Sequence, residues 1–207
     1  MQSTTWAIFL PTFFFVSVTP GLCMTLALTL GMSIGVKRSL PMMAGELLGV
    51  GLVGACAGLG VAAIMLRMPA LFWALKLIGG LYLGWLGIEL WRSRGSLALP
   101  TEGQNAPIST RSYDLASKGF VTAIANPKGW AFFVSLLPPF LNAQLPMGPQ
   151  LAYLLSIILG IEFACLLLYA TGGQALRHLL LKEGNVRLLN RIAGTLMVGV
   201  GIWLIFG

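Results

Sequence analysis

From Trp6 to about Leu30 the chain carries no charged residue, a run longer than the roughly 20 residues that cross a bilayer as a helix. Further apolar runs extend from about Pro41 to Leu66, Ala70 to Leu90, Gly119 to Pro138-Pro139, Gln150 to Ala170 and Leu188 to Phe206. Each predicts a membrane-spanning helix, with Pro41 suited to the first turn of the second span. Polar segments punctuate them: Lys37-Arg38, Arg67-Met68-Pro69, and a Ser-, Thr-, Pro- and Gly-rich loop from Arg92 to Lys118. The connection over 141–149 is uncharged, and a basic segment holding Arg177, His178, Lys182, Arg187 and Arg191 precedes the last span. The pattern is that of an all-α integral membrane protein with six transmembrane helices.

Two apolar runs are interrupted from within. Thr19-Pro20-Gly21 divides the first span, and Asn126-Pro127-Lys128 sits inside the fourth. Proline removes an amide hydrogen and its ring crowds the carbonyl four residues back, at Val16 and at Ala123. Hydrocarbon offers no water to a freed carbonyl or a bare ammonium, so such breaks belong where protein or a wet cavity surrounds them. Freed carbonyls accept from an ammonium, and the half-helix that restarts after each break presents amide hydrogens to a carboxylate. Both polarities together suit a zwitterion. The plainer structural reading is that each proline makes an ordinary kink.

Composition agrees with the pattern. Of the 207 residues 57% are hydrophobic and only 9% charged, against roughly 25% charged in soluble domains. The net charge of +7 reflects basic residues placed between apolar runs, which excludes a nucleic-acid face and sets orientation instead. Nearly all Lys and Arg fall in the connections between spans 1 and 2, 3 and 4, and 5 and 6. The positive-inside rule makes those connections cytoplasmic and puts both termini outside. The amino terminus shows no cleavable signal pattern. Cys23, Cys56 and Cys165 have no metal or CxxC spacing and read as packing residues; neither a metal nor a cofactor is expected.

The loop over 92–118 separates two three-helix halves, 1–91 and 119–207, within one transmembrane domain. An odd number of spans per half gives the halves inverted topology, the plan of many secondary transporters with a midplane site. The Pro20 break corresponds to the Pro127 break, and the second helix of each half carries one glutamate, Glu46 and Glu162. Lys128 lies ten residues beyond Lys118, roughly 15 Å along a helix, so it needs a partner at depth. A substrate carboxylate or Glu162 qualifies; the structural alternative is a fixed Lys128–Glu162 pair. Substrate binding is thus expected at Pro20, Gly21, Asn126, Pro127 and Lys128, and proton or ammonium coupling at Glu162 and Glu46, although Glu46 also reads as a carboxylate near the cytoplasmic interface. Gly45, Gly49, Gly54, Gly58, Gly80 and Gly84 read as helix-packing positions and are compatible with a homodimer.

Several stretches resemble one family, the LysE/RhtB family of bacterial amino-acid exporters. They are Thr19-Pro20-Gly21, Gly35-Val36-Lys37-Arg38, the run from Leu75 to Gly87, Gly119-Phe120 through Asn126-Pro127-Lys128 to Pro138-Pro139-Phe140, and Asn190-Arg191-Ile192-Ala193-Gly194. The chain departs from the family pattern at Leu22-Cys23, where a second proline is usual, at Glu46, often apolar, and at Pro139, often glutamine. The resemblance implies export of amino acids or related small metabolites across the bacterial inner membrane, driven by protons in antiport, with lipid as surroundings. Two other classes are open: a membrane thiol-disulfide electron carrier, which needs two cysteines that meet, and a non-transporting membrane subunit.

Overall fold

The computed structural model describes residues 3–92, 111–137, 140–142, 144–181 and 183–206; for some of these, among them Lys76, Pro127, Lys128 and His178, only the backbone is described. Most of the loop expected over 92–118, together with Pro138, Pro139 and Lys182, lies outside the described residues. The described chain is all helix, without strands: α1 Ser3–Val18, α2 Leu22–Ile34, α3 Val36–Arg67, α4 Pro69–Arg92, α5 Ser112–Ala125, α6 Pro127–Leu136, α7 Met147–Leu181 and α8 Glu183–Phe206. Among the described residues, Val36–Val61 and Met147–Gly172 are long and apolar enough to cross a bilayer, and Phe9–Val18 with Leu22–Ile34 qualify together as one span bent by 55°.

Both expected interruptions are real helix ends. The first apolar run is divided at residues 19–21, and α5 stops at Asn126, where Pro127 opens α6. Proline at a first helical position gives up an amide hydrogen that has no partner there anyway. Pro69 starts α4 for the same reason. Pro41 does not start its helix: α3 begins at Val36, directly after Gly35, whose φ of 81° turns the chain and is open to glycine without strain. Pro41 therefore lies inside α3, and the helix reaches further towards the basic end than its position suggests. The segment around Arg177 and His178 is likewise helix and not loop, because α7 continues for 35 residues. α5 starts at Ser112, ahead of the expected Gly119.

Glycine governs how the helices meet. A Cβ at Gly119 of α5 would run into the Met42 carbonyl of α3, and one at Gly45 into the Ala116 carbonyl of α5. At Gly31 it would meet the backbone of Ala170, joining α2 to α7. α4 and α8 run antiparallel, with Gly80 opposite Gly201 and Gly87 opposite Gly194. Backbones in such contact need small residues, and packing then supplies the attraction that lipid-immersed helices cannot draw from hydrophobicity. Gly45, Gly49, Gly54, Gly58 and Gly80 all meet another helix, whereas nothing comes within 4 Å of a Cβ at Gly84.

Two apolar clusters result. One gathers Phe9, Phe13, Val53, Phe132, Phe133, Phe140 and Met197, with Phe9 and Phe140 edge to face at 4.7 Å and Phe13 and Phe132 likewise at 4.7 Å. The other gathers Val18, Met24, Leu28, Met42, Leu115, Leu166 and Tyr169.

Two predictions follow from this geometry. Gly119→Val overpacks the α3–α5 seam and lowers stability in detergent by about 1–3 kcal/mol or more, while Gly84→Ala changes it by no more than about 1 kcal/mol; thermal unfolding of the two purified variants compares them. Leu22→Pro fits the first position of α2, since Gly21 before it is already extended (φ −149°, ψ −172°), and raises stability by about 0.4–1 kcal/mol through the unfolded chain, read as a higher midpoint.

Candidate functional site

The two breaks meet across one cavity. It has a volume of about 80 Å³, several times the space that one water needs. Thr19, Gly21 and Cys23 line it from the first break, Asn126 and Gly129 from the second, and Glu46 and Glu162 from α3 and α7. Its apolar wall is Phe13, Val16, Val50, Val53, Phe132, Phe133 and Ile158. Polar groups therefore collect where the helices are interrupted, and members of both apolar clusters enclose them.

Glu46 is the most enclosed polar group of the cavity. It is fully buried, and among the described residues neither carboxyl oxygen has a hydrogen-bond partner. With α3 starting at Val36 and not Pro41, Glu46 lies ten residues into the helix, roughly 15 Å from its end. Glu162, half-buried on α7, acts on Glu46 electrostatically across the cavity, and the Cys23 thiol lies beside both Glu46 and Asn126. Two carboxyl groups facing one small space repel when both are ionised. A single cation between them, a proton or an ammonium, relieves that repulsion.

The backbone at each break is held by specific donors. At the first, Thr19 donates its amide (3.1 Å) and its hydroxyl (2.6 Å) to the Phe15 carbonyl, and the Tyr169 hydroxyl of α7 donates to the Val18 carbonyl at 2.7 Å. At the second, the Asn126 amide donates to the Ala123 carbonyl at 3.3 Å, and the Trp130 indole N–H donates to the Ile124 carbonyl at 2.9 Å. The carbonyl of Ala123, expected to be freed by Pro127, is thus taken up three residues on instead of four, a tighter turn that proline permits. Tyr169 and Trp130 were not legible as donors; their only sequence signal is a polar-tipped aromatic in an apolar run, and of the two only Tyr169 is buried, where such a tip needs a partner.

Of the residues expected at the site, Gly21, Asn126, Glu46 and Glu162 line the cavity; Pro20 does not, although its sequence neighbours Thr19 and Gly21 do. Pro127 and Lys128 occupy the first turn of α6, directly after Asn126; their side chains, and with them the Lys128–Glu162 pairing, lie outside the described residues. The three cysteines are free thiols: Cys23 at the cavity, Cys56 exposed on α3 and Cys165 buried on α7.

Comparison with known proteins places the chain in a family. The chain is 29% identical over 199 residues to a homoserine/homoserine lactone efflux protein of Salmonella typhimurium, covering 96% of this chain and 95% of that one. It is 29% identical over 189 residues to a leucine efflux protein of an Enterobacter species, covering 90% and 88%. A protein of Vibrio cholerae described as an uncharacterized membrane protein is 26% identical over 204 residues, covering 99% and 98%. No solved structure matches the chain. A model of the LysE type translocator family matches residues 14–207, and the protein belongs to that family: it is a membrane transporter, not an enzyme.

Proposed function

We propose that the protein is a secondary exporter of amino acids or related small metabolites, carrying them from the cytoplasm across the bacterial inner membrane in exchange for protons. The observation that carries this reading is the single cavity in which both helix breaks and two glutamates, one fully buried, come together. A zwitterion placed there has its ammonium at Glu46 and Glu162. Its carboxylate faces the amide ends of α2 and α6, with Asn126 and Lys128 beside them, and its side chain rests on the phenylalanine and valine wall. The relatives' names point to homoserine and leucine as the first compounds to test.

In this reading α1 with α2, then α3 and α4, form one three-helix half. α5 with α6, then α7 and α8, form the other, inverted in the membrane across the loop that begins at Arg92. The chain spans six times with both termini outside, and the exposed Lys37 and Arg38 at the start of α3 face the cytoplasm. The halves rock about the cavity, which opens to each side in turn. Export follows when proton and ammonium compete for the same carboxyl pair: a proton arriving from outside displaces the amino acid, and its departure inside readies the site again. One occupant at a time makes the exchange obligatory.

Efflux of radiolabelled homoserine, leucine and a wider amino-acid panel from loaded proteoliposomes, with and without an imposed pH gradient, tests the proposal. The expected result is efflux of at least one amino acid, accelerated when the receiving side is acidic; no movement of any panel member would refute it. Glu162→Gln is expected to abolish gradient-driven efflux and leave counterflow exchange. Gradient-driven efflux at the wild-type rate would remove Glu162 from coupling. Glu46→Gln is expected to weaken apparent affinity by roughly tenfold or more, the loss of a charged partner to a buried ammonium, measured as KM for counterflow.

A further inference from the structure

The buried hydrogen bond from Tyr169 to Val18 joins two parts of the molecule 151 positions apart in sequence. α1 ends at Val18. In an unbroken helix the Val18 carbonyl would accept from the amide of residue 22, but Leu22 is the first residue of α2, and α2 leaves the axis of α1 by 55°. The carbonyl therefore depends on a donor from elsewhere. Tyr169 supplies it from a ring that is 1% exposed, in the cluster that also holds Val18, Met24 and Leu28.

The position of that donor ties the break to the cavity. Tyr169 follows Glu162 by seven residues on α7, two helical turns on, and so lies on the same side of the helix. Its neighbour Ala170 is the residue whose backbone Gly31 of α2 touches. One helix thus carries a cavity carboxylate, the grip on the end of α1 and the seat of α2. The second break is secured differently, by Trp130 of α6 reaching back to Ile124 at the end of α5, a bond within the interrupted span itself. At the first break the grip comes from α7.

We infer that Tyr169 is a positioning residue for transport: its hydroxyl fixes the break between α1 and α2, and so sets where Thr19, Gly21 and the first turn of α2 stand around the cavity. It does not touch the substrate. Without the hydroxyl the Val18 carbonyl is buried with no donor, a state the chain escapes by shifting the break, and the binding site loses its prepared shape. The loss falls on affinity.

This inference rests on the exporter reading, and the experiment separates the two. Counterflow kinetics of the amino acid that the wild-type protein transports are measured for Tyr169→Phe, for Leu22→Pro and for the double variant, each reconstituted at equal protein density. Tyr169→Phe is expected to raise KM about tenfold with Vmax within about twofold. Proline at 22 stiffens the break by its own ring, so the double variant is expected to return to within about threefold of the KM of Leu22→Pro alone. A KM unchanged by Tyr169→Phe, with only Vmax or yield reduced, would show an ordinary core residue and overturn the inference. A double variant still about tenfold above Leu22→Pro would overturn it too, as the effect would not run through the break. Should Tyr169→Phe not accumulate, the double variant set against Leu22→Pro carries the comparison, and failure of both to accumulate would make the hydroxyl a folding requirement, against the inference. A wild-type protein that moves no amino acid refutes the exporter reading instead.

Discussion

A backbone carbonyl or amide without a partner is costly in hydrocarbon, several kcal/mol for each group left bare, and the architecture answers that constraint at two places. Each interruption is supplied with donors: Thr19 and Tyr169 at the first break, the Asn126 amide and Trp130 at the second. Residues of both breaks border the same space. The cavity is a consequence of how the helices are broken.

The rest of the bundle keeps that space small and fixed. Backbone-to-backbone contacts at Gly31, Gly45 and Gly119 bring α2 against α7 and α5 against α3, so the helices beside the cavity meet at close range. The phenylalanines of α1 and α6 interlock edge to face above the polar groups. Glu46 is then enclosed with no hydrogen-bond partner among the described residues. Burying an ionised carboxyl group without a partner is costly, and a proton or a cation beside it relieves that cost.

Much of this was legible in the chain. The apolar runs predicted the helices, and the two proline triplets marked the breaks, since proline and glycine act locally and proline's missing amide is the same in any fold. The start of the helix that carries Glu46 was harder to place, because Pro41 resembles a helix start; the real start is Val36, after Gly35 with its positive φ. The basic residues near Arg177 suggested a loop, yet charge on a helix that emerges from a membrane is no obstacle to helix. The pairing of Tyr169 with Val18 was out of reach, because it rests on α2 lying against α7, and that contact is tertiary. Proposals for orientation, inversion of the halves and coupling follow from charge and spacing together with the cavity.

The central claim is that the transported amino acid occupies the cavity between the breaks, and Cys23 offers a native probe of it. In a protein carrying Cys56→Ser and Cys165→Ser, reconstituted in liposomes, the rate at which a small maleimide labels Cys23 is measured with and without saturating transported amino acid. The account predicts that the amino acid slows labelling severalfold while an untransported one leaves it unchanged. A labelling rate indifferent to the transported amino acid at saturation would contradict it, placing the substrate elsewhere in the molecule.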